Sequence, residues 1–161
     1  MKETTVDLNY QLKELRNKSW STNPGCYVLL QNKAVSRIGG KDKTGVLYIG
    51  KGDKILKRIM SLQASVVCNA DHNQEKCVIK GHNALSQRFY RMRKHADINT
   101  MSIRVFKLPE HIEAKYLESY LIESYVSKFA ELPPLNGSYG SVALDNALSY
   151  LNQNNVKLPS F

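Results

Sequence analysis

The 161 residues carry 23 Lys and Arg against 14 Asp and Glu, a formal charge of +9, with 42% hydrophobic and 23% charged residues. That length supports one ordinary core without staples, and the composition excludes a disordered chain. No stretch approaches the roughly 18 to 20 apolar residues of a membrane span, and residues 1–10 have no apolar centre like a signal peptide's. Three cysteines, an odd set, argue against a disulfide framework, so a soluble intracellular (cytoplasmic) protein with no membrane association is the expectation.

In chain order, Leu8, Leu12 and Leu15 mark a weak helical stripe and predict an accessory N-terminal helix over residues 7–18. Asn23-Pro24-Gly25 breaks the chain, and residues 26–30 (CYVLL) read as a buried strand. A polar, basic loop follows, and residues 45–50 (GVLYIG) form a second strand, so the pair reads as a hairpin with a long loop. Asp53 is placed to cap a helix running to about Gln63 through Ile55, Leu56, Ile59 and Met60. Residues 62–83 are polar and mixed and read as an insertion. A basic helix over 83–96 buries Leu85, Phe89 and Met92, and a third strand occupies 101–108. The longest helix spans 112–129 and stops before Pro133-Pro134, and a last short helix lies near 142–151. The order predicts an α+β fold with one short sheet of three strands. With no linker, repeat or low-complexity tract, residues 1–161 read as one domain with its core at about 24–137.

Charge is unevenly spread. Eight basic and two acidic residues lie from Lys33 to Arg58, and six basic and no acidic ones from Lys76 to Lys94. The region 110–131 instead holds Glu110, Glu113, Glu118, Glu123 and Glu131. Basic stretches suit a polyanion, whose phosphates reward neutralisation, although a generally basic protein has the same net charge.

Gly25-Cys26-Tyr27 followed by Tyr48-Ile49-Gly50 resembles the paired motifs of the GIY-YIG nucleases. Three further elements occur in order: Arg58, ten residues past Tyr48, Leu117-Glu118-Ser119-Tyr120-Leu121-Ile122, and Pro133-Pro134-Leu135-Asn136. Together they cover residues 25–136. The resemblance implies a three-stranded antiparallel sheet flanked by helices and Mg²⁺-dependent (or Mn²⁺-dependent) DNA cleavage to 5′-phosphate and 3′-hydroxyl ends. It implies that Tyr27 takes a proton from the attacking water, directly or through a relay. Tyr48 would then orient the site, and Asn136 would fix its geometry.

The residue types fit that chemistry on their own terms. Glu118 is a hard oxygen ligand, and one carboxylate with waters and a substrate phosphate is an ordinary Mg²⁺ site. The planar fork of Arg58 can hold a phosphate, and Lys51 can help stabilise a phenolate. Lys51, Arg88, Arg91 and His95 are candidates for substrate contact, as are the basic loop 33–43 and the basic helix at 88–94. Each residue also has a plainer reading: sheet aromatics, solvated helix ions, or a turn Asn before Gly137. Glu123 is a rival carboxylate. The sequence departs from the family pattern at Cys26, in its long hairpin loop, and in the insertion. If the insertion precedes the catalytic helix, Arg88 or Arg91 with His95 would replace Arg58.

Cys68, His72, Cys77 and His82 fall at C-x₃-H-x₄-C-x₄-H spacing, chemically suited to a structural Zn²⁺ but unlike the close ligand pairs of zinc fingers. Scattered residues in a polar insertion are the favoured reading. A small restriction-like or mobile-element nuclease, acting on DNA with a homodimer as one route to double-strand cleavage, fits best. A non-catalytic nucleic-acid-binding module and a ribonuclease on the same scaffold are the alternatives.

Overall fold

The computed structural model describes residues 1–8, 23–71, 75–77 and 82–160. Its elements, in chain order, begin with β1 (Lys2–Asp7), β2 (Gly25–Gln31), β3 (Val35–Arg37), β4 (Gly40–Asp42) and β5 (Val46–Gly52). They continue with α1 (Ile55–Val67), α2 (Asn83–Met92), β6 (Met101–Lys107), α3 (Ala114–Phe129) and α4 (Leu144–Gln153). One antiparallel sheet has the order β1-β6-β2-β5, and β3 and β4 form a separate two-stranded ribbon.

Alternation along the strands sends side chains to two apolar layers. Tyr27, Leu29, Ile103 and Val105 pack with Ile55, Ile59 and Leu62 of α1 and Phe89 of α2. Cys26, Val28, Ile49 and Phe106 pack on the opposite face with Leu117, Leu121, Tyr125 and Phe129 of α3 and Leu151 of α4. The β2–β5 register shifts at Leu29/Leu30, so Leu29 faces Tyr48 while Leu30 faces Val46. That bulge puts Tyr48 and Gly50 on the same face as Tyr27, and Ile49 and Lys51 on the face of Cys26.

The α+β class agrees with the sequence reading, but the sheet has four strands rather than three. The added strand, β1, pairs along its length with β6, half-burying Thr4 and Val6. Its β-branched run Thr4-Thr5-Val6 is good strand material that the nearby leucines obscured. The helix expected over 7–18 does not begin at Asp7, which ends β1; residues 9–18 lie outside the described residues. α1 continues to Val67, further than expected, because Leu62 and Val66 are both buried. α2 stops at Met92 and gives way to a short 3-10 turn, Arg93–His95.

The basic loop is not an open arm. Within it β3 and β4 form a ribbon docked on the C-terminal end of α3, where Gly39 N donates to Phe129 O at 2.9 Å. Asp42 is fully buried and organises the junction. Its carboxylate accepts from the main-chain N of Thr44 (2.8 Å), Gly45 (3.2 Å) and Val46 (2.9 Å) and from the Tyr125 hydroxyl (3.0 Å). Arg37 Nε donates to the same hydroxyl at 2.9 Å, and Arg37 also pairs with Glu131 at 3.4 Å. Of the loop's cations, Arg37 is therefore engaged within the fold, while Lys33, Lys41 and Lys43 are exposed.

Burial alone would raise the Asp42 carboxyl, but the hydrogen bonds from Thr44, Val46 and Tyr125 outweigh it and hold the group below its ordinary range. Such a group stabilises the fold above its unfolded value of about 3.9, and that contribution fades as pH falls through the lower folded value. Asp42→Ala strands several buried donors and is expected to cost about 3 kcal/mol in urea unfolding at neutral pH. The gap to the wild type should narrow below about pH 4. A constant gap across that range would remove the carboxylate's charge as the cause.

Candidate active site

The site is built on the free edge of β5. Outer strands expose unpaired main-chain groups, and here the segment after α3 covers them. Leu135 N donates to Leu47 O at 2.9 Å. The Asn136 amide then makes two bonds to one residue: its Oδ1 accepts from Ile49 N and its Nδ2 donates to Ile49 O, both at 2.8 Å. Asn136 thus grips the middle of the Tyr48-Ile49-Gly50 motif through its backbone, which explains an Asn at this place on geometry alone.

Because an edge strand offers both faces to one hollow, Tyr48 and Lys51 reach the same cavity from opposite sides of the sheet. This cavity, of about 310 Å³, is lined by Tyr48, Lys51, His82, Arg88, Glu118 and Asn136, together with the loop that follows. Glu118 stands on α3 with 15% of its side chain exposed, and its Oε2 forms an ion pair with Lys51 Nζ. Glu123 is used otherwise: its Oε1 accepts from Gly140 N at 3.0 Å, so it anchors the loop instead of lining the cavity. Cys26 lies under this pair, fully buried, its Sγ donating to Ala114 O at 3.2 Å. Burial and then the Glu118 charge push its thiol well up, so it is packing, not a nucleophile.

Tyr27 stands behind Tyr48, the ring centroids 6.1 Å apart. Gly50 is the residue that permits this. A Cβ there would meet Tyr48 Cε1 at 2.7 Å and Tyr27 Oη at 2.8 Å. Tyr27 is wholly buried, and its hydroxyl has no well-aligned hydrogen-bond partner among the described residues, although the Arg58 charge lies beside it. Burial, then Tyr48, raise its pKa well above the ordinary phenol value against the opposing pull of Arg58. Tyr48 is raised as well, by burial and then by Glu118, with Arg58, the Tyr27 hydroxyl and Arg88 opposing. Both phenols are protonated at neutral pH in this arrangement, and Tyr48 is the one that meets the cavity.

The two arginine helices converge here. Arg58 packs across Gly52 and acts on Tyr27, Tyr48 and His82. Arg88 lines the cavity and donates to Leu135 O at 3.3 Å. A choice between the Arg58 and Arg88 alignments is therefore unnecessary in space. Arg91 and His95 are not brought to this cavity. Arg91 is exposed, and His95 lines a separate basic hollow with Lys33 and Lys94.

His82, which the sequence leaves among scattered Cys and His residues of the insertion, lies beside Tyr48. Its ring sits edge-on to Tyr48, centroids 6.2 Å apart, 3% exposed, with Nε2 unpartnered. A hydrogen bond to the Arg58 main chain engages the ring, and with Nε2 unpartnered the nitrogen involved is Nδ1. Of the other residues in the Cys/His set, Cys68 and Cys77 come together, with Asn69 bonded to the Cys77 main chain at 2.8 and 3.0 Å. His72 lies outside the described residues. Among the described residues no cluster of three or more His, Cys, Asp or Glu side chains is arranged to hold a metal. A divalent cation at Glu118 would thus use one carboxylate, waters and substrate oxygens, a donor set that suits Mg²⁺. Among these residues, too, no helix is long and apolar enough to cross a membrane.

Compared with family models, curated proteins and solved structures, the chain finds no match in any of the three.

Burial, then the Arg58 charge, lower His82 to about 4, so it is neutral at pH 7. Below its unfolded value of about 6.5 the unfolded chain binds a proton that the folded chain refuses, so stability falls as pH drops from there toward 4. Replacing His82 by Gln should flatten that part of the stability curve, measured by urea titration across the window. An unchanged slope would show that His82 is already charged in the fold.

Proposed function

We propose that the chain is an endonuclease of the GIY-YIG type that hydrolyses DNA phosphodiester bonds to 5′-phosphate and 3′-hydroxyl ends. The observation that carries the reading is the convergence of Tyr48, Lys51, Arg88, Glu118 and Asn136 on one cavity, with Tyr27 and Arg58 directly behind. Those residues come from separate parts of the sequence, and a surface ion pair or a stray sheet tyrosine would not require them to meet.

Arg88 would hold the scissile phosphate by charge and planar hydrogen bonding, and Arg58 would add its charge from behind the tyrosines. His82, neutral and with a free nitrogen beside Tyr48, is a better proton acceptor at pH 7 than either protonated phenol. Tyr48 would position the attacking water, while Tyr27 supports it from behind and Asn136 holds the strand. Mg²⁺ at Glu118, when bound, would supply charge neutralisation at the phosphate and a lowered pKa for a coordinated water. Lys51 holds the carboxylate in place. Cutting both strands with one cavity per chain requires two chains, which makes a homodimer part of that version of the reading.

Plasmid cleavage tests the proposal. Nicking or linearisation in Mg²⁺ or Mn²⁺ should fall by about a hundredfold or more in Glu118→Ala and in Arg88→Ala, with Arg91→Ala and His95→Ala near wild type. Wild-type protein that leaves DNA intact in both metals, or undiminished cutting by Glu118→Ala, would defeat it. Metal binding supplies a separate readout. Because Lys51 competes for the Glu118 carboxylate, Lys51→Met should tighten Mn²⁺ binding roughly two- to fivefold in calorimetry, the size expected for a half-exposed ion pair. An unchanged Kd would place the metal elsewhere.

A further inference from the structure

We infer that Tyr139 is a stacking platform for an unpaired nucleobase, so that the preferred substrate is DNA with an unpaired nucleotide beside the cut. The inference rests on the nuclease reading and adds a substrate class to it. Among the described residues Tyr139 is the one exposed large aromatic, 60% exposed, and it stands on the wall of the cavity that holds Lys51, Arg88 and Glu118. An isolated exposed Tyr is common on protein surfaces; the placement and the anchoring of this one are what call for an explanation.

The loop carrying it is fixed on both sides. Upstream, Asn136 is bound to Ile49, and Gly137 lies against the Arg88 guanidinium so closely that a Cβ would meet one terminal nitrogen at 2.4 Å. Downstream, Gly140 N donates to Glu123 Oε1 at 3.0 Å, and Val142 N donates to Ser119 Oγ at 3.1 Å. Hydrogen bonds at Asn136, Gly140 and Val142 and the close packing of Gly137 hold a largely exposed aromatic ring on the wall of a hollow that carries Arg88 and Lys51. Folding alone gains little from that exposure, whereas a ring held ready loses little freedom when a flat partner covers it.

A nucleobase is such a partner, and the neighbouring groups suit the rest of a nucleotide. Arg88 and Lys51 complement phosphate, and Ser138 and Ser141 add hydroxyls along the same wall. Inside an intact duplex both faces of each base are already covered by neighbours, so away from an end only an unpaired or extruded base can lie on the ring. Stacking on a phenol does not distinguish the four bases, so the contact would select for local structure and not for sequence.

Fluorescence anisotropy in Ca²⁺, without cleavage, tests this with two labelled duplexes, one intact and one carrying a central bulge of unpaired nucleotides. Wild type should bind the bulged duplex about tenfold more tightly, Tyr139→Ala should lose about that factor on the bulge and little on the intact duplex, and Tyr139→Phe should keep it. Equal wild-type affinities for the two duplexes would overturn the inference, as would an Ala variant weakened equally on both. If wild type binds and cuts intact plasmid while Tyr139→Ala matches it on every substrate, only this inference falls. If wild type neither binds nor cuts DNA, the nuclease reading falls with it.

Discussion

The two hydrogen bonds between the Asn136 amide and the main chain of Ile49 decide the form of the site. Strand β5 ends the sheet, and a bare outer strand would offer its N–H and C=O groups to water or to another chain. One side-chain amide supplies both a donor and an acceptor at the right separation, so Asn136 replaces a neighbouring strand over one residue, while Leu135 continues the pattern at Leu47. Everything downstream inherits that fix. The loop with Gly137, Tyr139 and Gly140 leaves from it, Arg88 bonds to the carbonyl just before it, and the cavity fills the angle between strand and loop. Asp could not substitute, because an ionised carboxylate has no N–H to offer Ile49 O.

An edge position also resolves how tyrosines and a carboxylate from opposite sides of a sheet act together. The interior of a sheet separates its two faces by the strand itself, yet Tyr48 and Lys51 both border one hollow because, among the described residues, the Asn136 segment is what lies along the outer edge of β5. The bulge at Leu29/Leu30 is part of the same solution, since a one-residue change of register exchanges the faces. Without it, Tyr48 would point at α3 and Ile49 at α1. Gly50 then leaves room for the Tyr27 ring, so the glycine of the motif answers to packing and needs no unusual backbone angle.

Much of this was legible in the sequence because the informative residues lie in short, regular elements. Tyr27, Tyr48 and Glu118 fall on strands and a helix whose apolar periodicity fixes their neighbours, and the expected elements β2, β5, β6 and α3 form with small changes at their ends. What the sequence did not show has physical causes. β1 was hidden because its strand character rests on Thr4-Thr5-Val6, and its partner β6 lies about a hundred residues away, beyond any local pattern. The ribbon of β3 and β4 is polar in composition and is held by Asp42 and Tyr125, a contact between distant residues. Spacing within a polar insertion says nothing of where His82 lies, and packing against Tyr48 decides the place of its ring. Arg91 and His95 were chosen for charge, and helix phase turns Arg91 outward. Spacing along α2 alone distinguishes Arg88 from Arg91 only when the buried stripe Leu85 and Phe89 is used to set the phase.

The Lys51–Glu118 pair divides two environments of unlike charge. On one side a larger hollow of about 590 Å³ is bordered by Asp53, Glu110 and Glu113 along with Lys51 and Lys115. On the other lie Arg88 and neutral His82, while Lys54, Lys57, Arg91 and Lys94 are exposed elsewhere on the surface. A polyanion would meet three carboxylates against two lysines on the first side and Arg88 on the second, and such forces act at range when salt is low. On the proposed function, then, the exposed lysines and Arg91 need no contact with the reacting phosphate to matter. They would raise the local concentration of the polyanion, and Arg88 would then draw its phosphate to the side of the pair away from Asp53 and Glu110. Lys51 balances the Glu118 charge in the structure, and on the proposed function a divalent cation arriving with the phosphate would take over that role.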